Sequence, residues 1–173
     1  MSTTAMHPCA RCATMQRTCC QEAEILVTDG DRDRIAGHVG RDDFWERRRP
    51  ASAEYLEHDE DDPNWVRLTV GADGTRAMLK RTDDGCTFLG LHGCVLPLET
   101  RPLVCRLYPF DFTERGLCGV ADHYCPTERL APPGTTMLTV LGMDAIDGER
   151  WRAALYRELH AAGAAPGPPI PNS

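Results

Sequence analysis

Branched and aromatic residues come in short runs broken by charge, proline and glycine, so the pattern predicts brief elements rather than a few long ones. Glu24-Ile25-Leu26-Val27 reads as a short strand. Thr28 or Asp29 can cap the helix that follows, with Asp31 in its first turn and Ile35 and Val39 on its inner face. A second short helix is expected to carry Phe44 and Trp45, whose charged neighbours leave the two rings as one buried stripe. Pro50 and the acidic stretch up to Pro63 make a loop. Trp65 to Val70 and Arg76 to Lys80 alternate and are joined through Gly71 to Thr75, so they read as a β-hairpin that leads straight into Cys86. Near the C-terminus, Trp151, Leu155 and Leu159 recur every four residues on one helical face, which Asp147 can cap.

Composition narrows the function classes. A net charge of -7 offers no basic footprint for nucleic acid. Arg47, Arg48 and Arg49 face a nearby acidic run from Glu57 to Asp62, and the two read as solvated surface. No apolar run is long enough to span a membrane, and the start MSTTAMHPCA lacks the features of a secretion signal. Taken as a native start, it places the protein in the cytoplasm, where thiols stay reduced.

Against that background the nine cysteines stand out. Four lie within CARCATMQRTCCQ, at Cys9, Cys12, Cys19 and Cys20, and five fall between Cys86 and Cys125. In a reducing compartment such grouping indicates metal or redox chemistry ahead of structural disulfides, although one or two bridges remain the alternative. The spacings are wider than those of a zinc ribbon, and iron-sulfur ligation tolerates the irregularity better. Gly85, Gly93, Gly116 and Gly119 supply backbone freedom for loops to converge. Arg101 and Arg106 flank the turn before Cys105 and are candidate cofactor-binding cations that offset thiolate charge. Adjacent Cys19 and Cys20 can serve one centre only if the chain bends sharply between them; otherwise each serves a different site. His92 and His123 are weaker candidates as ligands. No phosphate loop, nucleophile elbow or HExxH helix is present, so the residues select no reaction and leave open whether the protein is an enzyme.

The ordered combination of CxxC, a CC pair, the helix start Asp31, Arg34, Ile35, then CTFL, a further cysteine, RPLVCRLYPF and a final Cys-Pro resembles the YkgJ-type cysteine cluster family. The resemblance runs from Cys9 to Pro126 and implies a zinc- or iron-chelating domain. Carried over by position, it implies Cys9, Cys12, Cys19, Cys20, Cys86, Cys94, Cys105 and Cys125 as metal ligands, with Cys118 the extra one. The chain departs from the commonest family pattern where six residues separate Cys12 from Cys19, a loop that can move the CC pair relative to the first two cysteines. Related clusters in flagellin lysine methylases point toward protein modification, but nothing here matches a methyl-donor site.

The resulting expectation is α+β: a small loop-rich single domain with a β-hairpin, several short helices and a metal-stapled cysteine core. A flexible lead-in over 1–8 precedes one domain over 9–163 and a disordered tail over 164–173, proline-rich from Pro166. Its function is to coordinate an iron-sulfur cluster, or a zinc or iron ion, through the two cysteine groups. The alternatives are an enzyme, redox-active or protein-modifying, that uses the same centre, and a thiol redox sensor working through Cys19-Cys20 or Cys9 and Cys12. The partner implied is the metal itself, with no nucleic acid and no membrane.

Overall fold

The structure is a computed structural model and describes residues 7–121 and 125–164. Most of the lead-in, His123 and the tail from 165 onward lie outside the described residues. Helices alternate with short antiparallel ribbons, which makes the chain α+β. In order these are α1 Pro8–Ala13, α2 Cys19–Glu22, α3 Asp29–Val39, β1 Trp45–Arg48, α4 Trp65–Thr69, β2 Arg76–Leu79, β3 Arg81–Thr82, β4 Gly85–Cys86, β5 Leu89–Gly90, β6 Gly93–Cys94, α5 Leu103–Leu107, β7 Phe110–Thr113, β8 Gly116–Val120, α6 Thr127–Leu130, α7 Met137–Leu141 and α8 Ala145–Ala164.

Two expectations for the N-terminal half fail together. Trp65 to Thr69 is a helix, and the partner of β2 is β1, the segment expected to be helical around Trp45. Spacing explains the first failure, because Trp65 and Leu68 lie three apart and both pack against the Trp151, Leu155 and Leu159 face of α8. Tertiary burial overrides the local alternation. Trp45 stays in an extended strand with the Arg32 guanidinium 4.0 Å from its ring centroid, while Phe44 just before it packs on Phe88. The expected strand at Glu24 to Val27 is present only as an isolated bridge from Leu26 to Met78, with Val27 donating to the Ala77 carbonyl and Leu79 donating to the Ile25 carbonyl.

Capping fixes the helices that frame the cysteines. Thr28 accepts from the Asp31 N–H at 2.9 Å while Asp31 accepts from the Thr28 N–H at 3.1 Å, a reciprocal box that starts α3. Asp31 is fully buried and its other oxygen accepts from the Leu103 N–H at 3.0 Å, which ties the start of α3 to the start of α5. From α8, Glu158 accepts from the Thr28 hydroxyl and from Arg34 Nη1 at 2.6 Å. At the start of α8 the cap is Asp144, which accepts from the Asp147 N–H, so Asp147 lies in the first turn and not at the cap. Leu103 and Leu107 of α5 bury against Trp151, Leu155 and Leu159, so α5 is held from both sides.

Candidate metal centre

Cys9 and Cys12 ride on α1, which begins at Pro8 and is capped by His7, whose Nδ1 accepts from the Cys9 N–H at 3.2 Å. Cys12 is buried against Leu130 of α6 and Met137 of α7, with Met15 packed on the same cluster. The residues inserted before Cys19 therefore form an anchored turn. It ends at Thr18, whose N–H donates to the Gln21 side chain at 2.8 Å and which opens α2. Cys19 and Cys20 occupy the first turn of that helix, so the bend they require is helical.

The second group arrives on three elements. Cys86 ends β4, Cys94 ends β6 and Cys105 sits inside α5. Gly85, at φ 129°, brings β4 so close to α2 that an added Cβ would stand 2.8 Å from the Cys20 carbonyl oxygen and 2.9 Å from Gln21 Cα. No side chain fits there. Gly93, at φ 100°, faces Cys9, whose Cβ would lie 3.9 Å from a Cβ added there. Gly116 and Gly119 lie in β8 with nothing near their added Cβ positions, so the convergence depends on the first two glycines. Cys125 precedes α6, packs beside Cys12 and makes a 3.4 Å hydrogen bond with the Tyr108 hydroxyl.

Electrostatics shows how closely the thiols are gathered. Burial first, together with the charge of Cys20, pushes Cys9 and Cys86 up to about 11. Cys12, Cys94 and Cys105 are also raised, first by burial, and Cys20 is again among the causes. Cys125 acts on Cys9 and Cys12. The Cys19 thiol donates to Cys20, which keeps Cys19 protonated and lowers Cys20 to about 7 despite its burial. All eight family positions therefore fall within one electrostatic neighbourhood with Cys20 at its hub.

The two arginines separate. Arg101 lowers Cys20 and Cys94 electrostatically, hydrogen-bonds Cys94 and donates from Nε to the Leu96 carbonyl at 2.9 Å. Arg106 is 5 % exposed and turns toward its own loop, donating to the Arg101 carbonyl at 2.8 Å and to Glu99. It braces the turn that carries Arg101. Sequence reasoning missed His7 and Tyr108, since neither a helix-capping histidine nor a tyrosine one residue before proline carries a ligand pattern. His92 is exposed at the tip of the β5–β6 ribbon. Cys118 lies apart on β8, exposed, with Thr113 Oγ1 3.8 Å away.

A family pattern described as "CxxCxxCC: Putative zinc- or iron-chelating domain" matches residues 8–126. The chain belongs to this family. The match starts at α1 and ends just after Cys125, so the CxxCxxCC domain contains all eight converging cysteines while α8 packs against it from outside. No curated protein and no solved structure matches the chain. Among the described residues, no three His, Cys, Asp or Glu side chains already stand as a group that could hold an ion. The thiols share a neighbourhood without forming a finished coordination shell. Their chemistry fits a thiophilic metal, because buried thiols that raise one another lose their protons to solvent readily only when a cation bound among them stabilises the thiolates. Among the described residues, no helix is long and apolar enough to cross a membrane.

Proposed function

We propose that this CxxCxxCC protein holds an iron-sulfur cluster, or a zinc or iron ion, through Cys9, Cys12, Cys19, Cys20, Cys86, Cys94, Cys105 and Cys125. The observation that carries the proposal is the convergence on Cys20, whose charge reaches cysteines of both sequence groups. The neighbourhood divides naturally. Cys20, Cys86, Cys94 and Cys105 act on one another, and Cys9, Cys12 and Cys125 form a second set beside them, with Cys19 at the junction. Arg101 supplies the positive field for thiolates of both sets, and Arg106 holds it in place. A bound metal supplies the ligand bonds that staple α1 and α2 to the ribbons and α5. The fold is then metal-stapled, and the two cysteine groups are one site.

Anaerobic purification followed by iron, sulfide and zinc analysis tests this reading. Visible absorbance that bleaches with dithionite, with matching iron and sulfide, identifies a cluster; a colourless protein with tightly held zinc identifies a zinc site. A folded protein free of both metals and indifferent to chelators contradicts the proposal.

One observation favours a second reading, a thiol redox sensor. Cys20 is held near 7 by the Cys19 thiol, which makes it the nucleophilic member of the array in metal-free protein. Thiol counts before and after mild oxidation separate the readings, because a sensor loses thiols reversibly at Cys19 and Cys20 without losing metal.

A further inference from the structure

Directly opposed residues of an antiparallel pair share a face, so Glu46 and Arg48 of β1 stand beside Met78 and Arg76 of β2. The Leu26–Met78 bridge adds Glu24 to that face. Arg76 is only 2 % exposed, and its Nε and Nη1 have no hydrogen-bond partner among the described residues. The nearby carboxylates are already engaged elsewhere. Glu24 accepts from Arg48 and from the Ala51 N–H at 3.1 and 3.2 Å, and Glu46 pairs with Arg48 Nε at 3.3 Å. A buried cation whose donors lack hydrogen-bond acceptors is strongly disfavoured in water-poor surroundings.

What covers Arg76 is a strap. The Tyr55 ring, from the 3-10 turn Ala53–Leu56, lies over the guanidinium with 5.0 Å to its centroid. From Ser52 to Glu60 the hydrogen bonds are local, Tyr55 to Ser52, Glu57 to Glu54 and Asp61 to Asp59, and the Tyr55 ring meets the ribbon at Arg76. Lifting it breaks no hydrogen bond to the rest of the described chain.

We infer that Arg76 and Arg48, beneath the Tyr55 strap, form a binding site for a small tetrahedral oxyanion of the phosphate or sulfate class. Guanidinium donors match such oxygens in geometry and charge, and four oxygens can bridge two arginines where Glu24 and Glu46 form their ion pairs with Arg48 and Glu24 acts on Arg76 only through its field. The site needs no metal and is separate in sequence from all eight family cysteines.

Calorimetric titration of the full chain with inorganic phosphate at constant ionic strength, with sodium chloride as the control, tests it. The expected result is saturable binding that Arg76→Gln abolishes and Arg76→Lys weakens by about tenfold or more, since lysine keeps the charge but loses the planar donors. Saturable binding in the chloride control as well, no saturable phosphate binding by the wild type, or wild-type affinity in either folded variant would overturn the inference.

Discussion

Arg101 and Arg106 carry the same charge on the same short turn, yet their surroundings assign them different work. Arg106 makes hydrogen bonds to Glu99 and to the Arg101 carbonyl while almost fully buried. Its replacement by alanine is expected to lower unfolding free energy by roughly 2–3 kcal/mol, the scale for losing charge-assisted hydrogen bonds, in urea titrations. Replacement of Arg101 by methionine acts on the thiols instead. In metal-free protein it should move the pH midpoint of Cys20 alkylation upward from about 7, and Cys19→Ala should move it further, because the Cys19 hydrogen bond is the larger cause. A midpoint indifferent to both changes contradicts this account of Cys20. The sequence placed both arginines near Cys105, but side-chain direction within a turn depends on which carbonyls and carboxylates lie in reach, and spacing does not reveal those.

At the scale of elements, Gly85 makes the sharpest prediction. Its positive φ and the backbone of Cys20 and Gln21 leave no room for a Cβ. Gly85→Ala should cost about 1–3 kcal/mol and reduce metal content, whereas Gly116→Ala, with open space around it, should change neither. The capping that holds α3 to α8 responds to pH. Burial pulls Glu158 upward, but hydrogen bonds from Arg34 and Thr28 outweigh it and hold its folded pKa below the ordinary 4.5. Its contribution is therefore complete above pH 4.5 and is lost as pH falls through the lower folded value. Asp31, raised mainly by burial, has the opposite sign and offsets part of that loss. Glu158→Gln should flatten the acid side of the stability profile measured by urea titration between pH 6 and 3. An unchanged profile removes Glu158 from the account. The α3 start and the α8 face were readable from caps and four-residue spacing, which are local signals. The exchange of partners between Trp45 and Trp65 was not, because both segments mix apolar and charged residues and only packing against α8 or Phe88 decides between them.

Across the whole molecule the cysteines were the clearest signal and the ribbons the weakest. A two-residue strand such as β4 or β6 has no period to detect, and its place depends on a glycine meeting a distant helix. The lengthened loop before Cys19 is accommodated by packing a half-buried Met15 beside Cys12 and capping α2 with Thr18, a solution set by the tertiary core. Because the thiols must shed protons to bind metal, loading should release protons and weaken as pH falls, which titrations in buffers of different ionisation enthalpy would measure. The central claim is that two distant cysteine groups form one metal site. Metal content per folded chain, compared among wild type, Cys12→Ser and Cys105→Ser after anaerobic purification, tests it most directly. Stoichiometric iron or zinc in the wild type, with metal and thermal stability lowered in both variants, is the predicted result; a wild type without metal, or variants that retain its full metal content, would contradict it.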